Sequence, residues 1–366
     1  MHHQEYSFVD LFAGIGGLRL AFEGAGGQCI FTSEWNRFAQ ATYHANFDCS
    51  GHALAGDITR IPADAVPPHD LLLAGFPCQP FSLAGVGTRN KLGQKHGFAD
   101  ATQGTLFFEI ARMLGYHRPK AFLLENVKNL IHHDAGKTFA TIRDVLEKQL
   151  GYHVQYRVLN ANGLVPQNRN RVFIIGFRER TAFDLSALQI RYPATLPTVG
   201  DILLPARQVP ALFTLSDGYF AWVRQQAARN RARGNGFTTR YLSPQDTMPA
   251  LIASYGSDRA FFIKQRGKNP RRLTPRECAR AMGFPDEFAI VVSKTQAYRQ
   301  FGNSVVVPLV AQIAAAMRPH LSQVTAWPFA LYNPRHDRDA LSCPADAVPA
   351  AVLAGGGCRA ETLPAV

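Results

Sequence analysis

The sequence predicts an α/β fold, and three observations predict it. Short apolar runs recur at residues 6–12, 70–74, 119–124 and 171–177, each the length of a strand buried within a sheet. Segments with the apolar period of a helix alternate with them, from Leu18 onward and again over residues 105–114. Residue types that carry chemistry stand directly after the apolar runs, where open α/β sheets present reactive and ligand-binding groups.

Taken in order, residues 6–12 are the first expected strand, running straight into Ala13-Gly14-Ile15-Gly16-Gly17 and then a helix. Strand, glycine turn and helix make a nucleotide cradle, because missing side chains let a ligand approach backbone amides at a helix N-terminus. Residues 29–33 are the second strand, ending at Glu34-Trp35-Asn36. An acidic residue about 20 positions past a glycine turn is where a ribose hydroxyl is usually bound, and Trp35 would lie against an adenine ring. A third short strand ends near Gly56-Asp57-Ile58, where Asp57 would accept from an adenine amino group. Each of these alone is more often a cap or a turn. Three in succession at strand ends point to an adenosyl pocket.

Residues 70–74 lead into Gly75-Phe76-Pro77-Cys78-Gln79-Pro80-Phe81-Ser82. A lone Cys is more often core than reactive, but Pro77 and Pro80 would fix this backbone and aim the sulfur. Residues 83–103 follow, Gly-rich and polar, with Arg89, Lys91, Lys95 and His96. A stretch of that length without an apolar period is expected to be a mobile functional loop. Beyond the helix at 105–114, the strand at 119–124 ends in Glu125-Asn126-Val127, which puts a carboxylate in the same crevice as Cys78. Residues 138–150 read as a helix and 152–159 and 171–177 as strands, separated by Gln167-Asn168-Arg169-Asn170-Arg171. Arg169 and Arg171 would serve the same pocket or stand as strand-edge charges.

At 366 residues the chain is long enough for two domains and a full core. It contains no run of eighteen apolar residues and no basic-then-apolar leader before Tyr6, so neither a membrane span nor a secretion signal is expected. The six cysteines form no C-x-x-C pair and have no His at ligand spacing, which predicts a reduced, cytoplasmic chain without a structural metal. The net charge of +12 is localised. Between Gly151 and Pro275 stand eighteen Lys and Arg against six Asp and Glu, and the rest of the chain is neutral. So local an excess, mostly Arg, is what binding to a phosphate backbone asks for.

Together these motifs resemble the bacterial C5-type DNA (cytosine-5)-methyltransferases, which depend on S-adenosylmethionine. They run in that family's order: Asp10-Leu11-Phe12-Ala13-Gly14-x-Gly16-Gly17, Glu34-Trp35, Gly56-Asp57-Ile58, Pro77-Cys78-Gln79, Glu125-Asn126-Val127 and Gln167-x-Arg169-x-Arg171. Residues 272–285, beginning Arg-Leu-Thr-Pro-Arg-Glu, and 296–305, containing Gln300-Phe301-Gly302-Asn303-Ser304, close the set. The resemblance covers residues 8 to about 310. Residues 83–97 are longer than in the family's most compact members.

The resemblance implies a Rossmann-like methyltransferase domain, a mixed, mostly parallel sheet with helices on both faces, plus a smaller irregular, β-rich target-recognition domain. The catalytic domain would be discontinuous, 1–185 and 291–320, with recognition by 186–290 and a low-complexity tail at 321–366. Cys78 would be the nucleophile toward C6 of cytosine, Glu125 would bind N3 and N4, and Arg169 would hold the base carbonyl and orient Glu125, with Arg171 a weaker member of that role. S-adenosylmethionine would be held by Phe12, Gly14, Gly16, Leu18, Glu34, Trp35, Asp57, Ile58, Pro77, Leu106, Asn303 and Ser304, with no metal. Ser82, Arg89, Lys91 and Lys95 on the loop, and Arg231, Arg233 and Arg240 in the recognition region, would contact DNA. The expected partner is double-stranded DNA, met by a monomer that works in the cytoplasm on the nucleoid. A cognate restriction endonuclease would act on the same site without direct contact. The wording of the recognition region is most similar to enzymes that modify the inner cytosine of CCWGG, CCNGG or CCGG.

Two other readings compete: an RNA cytosine methyltransferase with the same chemistry, and a DNA-binding protein that keeps the fold without activity. The localised +12 argues against the first, and the presence of Cys78, Glu125 and Arg169 against the second.

Overall fold

A computed structural model describes residues 5–52, 54–76, 105–234, 239–257 and 260–325. Pro77, Cys78, Ser82, Arg89, Lys91 and Lys95, the expected loop through Gln103 and the expected tail beyond Thr325 lie outside the described residues.

A seven-stranded sheet carries the site. Its strands are β1 (Tyr6–Leu11), β2 (Gly27–Ser33), β3 (Leu54–Ala55), β4 (Leu71–Gly75), β5 (Ala121–Val127), β6 (His153–Asn160) and β8 (Asn170–Phe177), in the order β3-β2-β1-β4-β5-β8-β6. Pairing is parallel from β3 to β5 and antiparallel where β8 joins β5 and β6. This is the mixed, mostly parallel α/β sheet that the sequence predicts. The central strands are apolar at nearly every position because both sheet faces are covered. Alternate side chains divide between two cores: Tyr6, Phe8, Leu71, Leu73, Ala121 and Leu123 on one face, Val9, Leu11, Leu72, Ala74, Phe122 and Leu124 on the other.

The helices α1 (Gly17–Glu23) and α2 (Arg37–His44) follow β1 and β2. The side chain of Asn36 accepts from the amides of Phe38 and Ala39, capping α2. The helix α3 (Thr105–His117) packs its Phe107, Ile110, Met113 and Leu114 into the second core together with Phe139 and Ile142 of α4 (Lys137–Asp144). The helix expected over 138–150 is α4 followed by a π-turn at Val145–Gln149.

Past residue 185 the chain is sparser in regular structure. A short helix α5 (Val199–Ile202), the 16-residue α6 (Asp217–Ala232) and a three-stranded sheet of β9 (Arg240–Leu242), β11 (Phe261–Gln265) and β12 (Lys268–Arg271) make up most of it. The helix α6 departs from the β-rich expectation. Its sequence hides it because only Val223 is buried, so no apolar stripe marks a helical period. The strands β7 (Gln167–Asn168) and β10 (Met248–Pro249) pair in parallel and join this region to the Gln-x-Arg-x-Arg run.

The chain then returns to its beginning. The helix α7 (Pro275–Ala281) opens with a reciprocal capping box between Thr274 and Glu277. Next come α8 (Lys294–Asn303) and α9 (Val307–Leu321). Residues 294–321 have the length and composition of a membrane span. They are broken at residues 304–306, however, and Leu309, Val310, Ile313, Ala314 and Met317 are buried in the first core, beside Leu18, Ala21 and Phe22 of α1. A Cβ on Gly17 would stand 2.7 Å from Ser304 Oγ and 2.9 Å from Val305, so only glycine lets α1 and this returning segment close.

Candidate active site

The carboxyl ends of β1, β2, β4 and β5 and the turn before β8 define the site. At the end of β1, Phe12, Gly14 and Gly16 all take positive φ, 56°, 58° and 79°. Gly16 caps α1, and a Cβ on it would collide with Phe47 at 2.3 Å; nothing stands within 4 Å of where a Gly14 Cβ would be. The turn is therefore tight underneath and open above.

Glu34, buried at the end of β2, closes the turn. Its Oε2 accepts from the Gly14 amide at 2.8 Å and its Oε1 from the Asn36 amide at 2.7 Å. Burial raises its pKa above the ordinary carboxylate range, and the amides of Asn36, Gly14 and Trp35 act against that rise. The neighbouring Trp35 is 75% exposed, an indole face that the protein leaves uncovered. Asp57 caps the 3₁₀ turn Ile58–Arg60 through the Thr59 amide, and Ile58 is buried. Leu106 is half-buried at the start of α3. Leu18 is buried in the first core, and Ser304 reaches the turn through its contact with Gly17.

On the other side of β1, β4 ends at Gly75, whose partner across the pair is Glu125 of β5. A Cβ on Gly75 would come within 3.9 Å of Glu125 Oε2. The next residue, Phe76, gives its carbonyl to Asn126 Nδ2 at 3.3 Å, which fixes the chain two positions before Cys78. Glu125 is buried, and its Oε1 lies 3.0 Å from Arg171 Nε. Burial pushes its pKa up; Arg171, then Arg169, oppose the shift.

The two arginines divide their work differently from what the sequence led one to expect. Arg171, expected to be the weaker member, makes the direct contact with Glu125. Arg169, among the largest fully buried side chains, donates from Nη1 to the carbonyl of Leu251 (2.6 Å) and from Nη2 to the carbonyls of Gly302 (3.0 Å) and Ser304 (2.7 Å). Both spend guanidinium donors on fixed oxygens: Arg171 on the carboxylate of Glu125, Arg169 on three backbone carbonyls.

A model of the C-5 cytosine-specific DNA methylase family matches residues 6–318. The chain belongs to that family. The DNA-cytosine methyltransferase of Escherichia coli K12 is 42% identical over 89% of this chain and 80% of its own length. The Type II methyltransferase M.NlaX of Neisseria lactamica is 44% identical over 87% of this chain and 98% of its own. Among solved structures, Entamoeba histolytica EhMeth superposes with a TM-score of 0.67 at 18% identity, covering 86% of this chain and 98% of that one. The S. pombe Dnmt2 methyltransferase gives 0.64 at 18%, again over 86% of this chain and 98% of its own; both likenesses speak for the fold alone.

This DNA (cytosine-5)-methyltransferase therefore brings Gly14, Gly16 and Glu34 into hydrogen-bonded or packed contact at one turn, with Trp35 next in sequence, and Glu125 with Arg171 at the next strand ends. The DNA contacts expected of Arg231 and Arg233 fall on the last turn of α6 and its C-cap, and Arg240 opens β9. Sequence reasoning assigned no role to three residues of this methyltransferase that the structure singles out. Asp10 is buried with neither carboxylate oxygen hydrogen-bonded among the described residues, and its pKa rises to about 8, chiefly through desolvation. Asn126 anchors the approach to Cys78, and Gln167 bonds across 84 positions to Leu251. A polar residue at the end of an otherwise apolar strand was the available signal for Asp10.

Proposed function

We propose that the enzyme transfers a methyl group from S-adenosylmethionine to C5 of a cytosine turned out of duplex DNA, through a covalent adduct between Cys78 and C6. The observation that carries this reading is the buried Glu125–Arg171 pair lying across the β4–β5 register from Gly75, three residues before the thiol of the Pro-Cys-Gln sequence.

C5 of cytosine is a weak nucleophile. Addition of the Cys78 thiolate to C6 breaks the C5–C6 π bond and leaves C5 with carbanion character. Glu125 shares a proton with N3 and accepts from N4; burial raises its pKa, which favours the protonated form. Arg171, paired with Glu125, orients that carboxyl group and with Arg169 serves the carbonyl side of the base. The contact strengthens as electron density builds on the ring, which is what lowers the barrier. After methyl transfer, C5 gives up its proton to solvent, the sulfur–C6 bond breaks, and the C5–C6 double bond returns.

The residues present fit the cofactor. Open space over Gly14, the carboxylate of Glu34 at its edge and the exposed Trp35 support an adenosyl cradle, whose walls would be completed by Asp57, Ile58, Phe12, Leu18, Leu106, Asn303 and Ser304, and by Pro77, which lies outside the described residues. When bound, S-adenosylmethionine supplies an electrophilic methyl group. No metal takes part.

The catalytic domain is residues 1–185 with 291–320, and 186–290 recognise DNA; the tail at 321–366 has no assigned part. Extruding the base costs a few kcal/mol, offset by loop residues Ser82, Arg89, Lys91 and Lys95 and by Arg231, Arg233 and Arg240 on the duplex. The enzyme works as a monomer in the cytoplasm, beside a restriction endonuclease of the same specificity, on the inner cytosine of a CC-starting palindrome such as CCWGG, CCNGG or CCGG. The Type II names of relatives such as M.NlaX support the restriction–modification setting.

Tritiated S-adenosylmethionine offered with duplex DNA and with RNA tests the reading: label enters DNA alone. Label in RNA alone, or in neither polymer, would reject it. Bisulfite sequencing of DNA from expressing cells then names the site and the modified base together.

A further inference from the structure

Asp57, expected to meet the adenine amino group, stands on a turn that is anchored at both ends. Ser33, at the end of β2, donates from Oγ to the carbonyl of Gly56 at 2.7 Å. Beside it the Glu34 amide donates to the carbonyl of Ala55 at 3.0 Å. The turn therefore hangs on the strand end that leads into Glu34 and Trp35. Asp57 Oδ1 accepts from the Thr59 amide at 3.0 Å and from the Thr59 hydroxyl at 2.9 Å. Among the described residues no hydrogen bond reaches its Oδ2.

The far end of the turn is held by α3. The 3₁₀ turn Ile58–Arg60 is one turn long, so it closes few bonds of its own and leaves its last carbonyls in need of donors. Arg112 supplies them: its Nη2 donates to the carbonyl of Ile58 at 3.1 Å and to that of Ile61 at 2.9 Å. Glu109, one turn back on the same helix, fixes that guanidinium, accepting from Nε at 2.8 Å and from Nη2 at 2.6 Å. The Ile58 side chain is buried in the second core together with Phe107 and Ile110 of α3. Ser33, Thr59 and Arg112 have no part in the cofactor set expected from the sequence.

We propose that Arg112 and Thr59, with Ser33, are positioning residues that fix Asp57 and so set the base of the cofactor, admitting a 6-aminopurine nucleoside and rejecting a 6-oxopurine. The inference rests on the function proposed above. A carboxylate oxygen only accepts hydrogen bonds. Aimed at the purine 6-position, Oδ2 receives the amino hydrogens of adenine, whereas a 6-oxo group there sets two acceptors against each other. A carboxylate free to turn would relieve that clash and take either base. One held by Oδ1, on a turn anchored at both ends, cannot, so discrimination comes from the anchoring as well as from Asp57. Arg112 acts through the carbonyls of Ile58 and Ile61.

The test is calorimetric titration of the full chain with S-adenosylhomocysteine and with S-inosylhomocysteine, which differ only at purine positions 6 and 1. The wild type should bind the adenosyl compound tighter by on the order of a hundredfold. Thr59→Val, at an exposed position, removes one bond to Oδ1, and Arg112→Gln releases the two carbonyls. Each should narrow that ratio by about tenfold, the scale of one hydrogen bond to a charged group. Thr59→Ser keeps the hydroxyl and should keep the wild-type ratio. If Thr59→Val and Arg112→Gln weaken both compounds equally and leave the ratio intact, their role is merely structural and the proposal is overturned. So it is if the wild type binds both compounds alike. A wild-type chain that binds neither rejects the function proposed above, and this inference with it.

Discussion

Asp10 and Glu125 show what burial does to a carboxyl group with and without a partner. Asp10 sits at the end of β1 with no hydrogen bond among the described residues, and the positive charge of Arg19 opposes the rise that desolvation causes. Its pKa of about 8 lies far above that of an unfolded Asp, so the unfolded chain releases this proton first. The sign is definite: the cost is absent below the ordinary carboxylate range, grows as pH rises and levels off above about 8. Asp10→Asn should flatten the fall in stability across that window by several kcal/mol, measured by urea unfolding at a series of pH values. Glu125 has a cation beside it, so its rise is opposed. If its protonated form is the active one, kcat/KM should fall as pH rises through its pKa, and Arg171→Gln should move that limb to higher pH. A limb that stays in place in Arg171→Gln would separate the pair from the chemistry. Cys78→Ser should abolish methyl transfer while duplex binding persists; turnover near that of the wild type would remove Cys78 from the mechanism.

At the scale of elements, the site depends on helix starts and close approaches more than on helix interiors. The helix α7 is the clearest case. Thr274 and Glu277 cap it reciprocally, while Arg271 grips Glu277 through two bonds, 2.8 and 2.7 Å, in a pair that is nearly wholly buried. Glu277 also accepts from the amides of Leu204 and Thr274, so every part of its carboxylate is used. Arg271→Met should cost about 3–5 kcal/mol by stranding a buried charge, and Thr274→Ala about 1 kcal/mol as a lost cap. Chemical denaturation of both variants checks the ratio, and equal losses would contradict it. The glycine turn makes the complementary point. Gly17→Ala forces α1 away from Ser304 and Val305, so it should lower stability by about 1–3 kcal/mol and weaken S-adenosylhomocysteine binding with it.

Across the whole molecule the informative quantity is where charge lies. The +12 excess is confined to residues 151–275, which include α6, β9 and the segment after β10. Binding to duplex DNA should weaken steeply with salt, and Arg231→Ala, Arg233→Ala and Arg240→Ala should each reduce the slope of log affinity against log salt by about one if it meets a phosphate. A slope unchanged in all three would place the phosphate contacts elsewhere.

The sequence by itself determined the sheet, the glycine turn and the order of the motifs. These are local properties: apolar runs of strand length, residues that tolerate positive φ, and polar groups placed one position past a buried strand. The tertiary structure alone decided three things. It gave Glu125 to Arg171 and set Arg169 on three backbone carbonyls, although the two arginines stand two residues apart and look alike in the chain. It raised α6, which buries one side chain and so leaves no period to read. And it brought Gly302 and Ser304 against Ala253 and Gly17, contacts whose only trace in sequence is a glycine. Strand and turn identity follow from a few neighbouring residues, whereas the partner of a buried charge is settled by whichever oxygen the fold carries within reach.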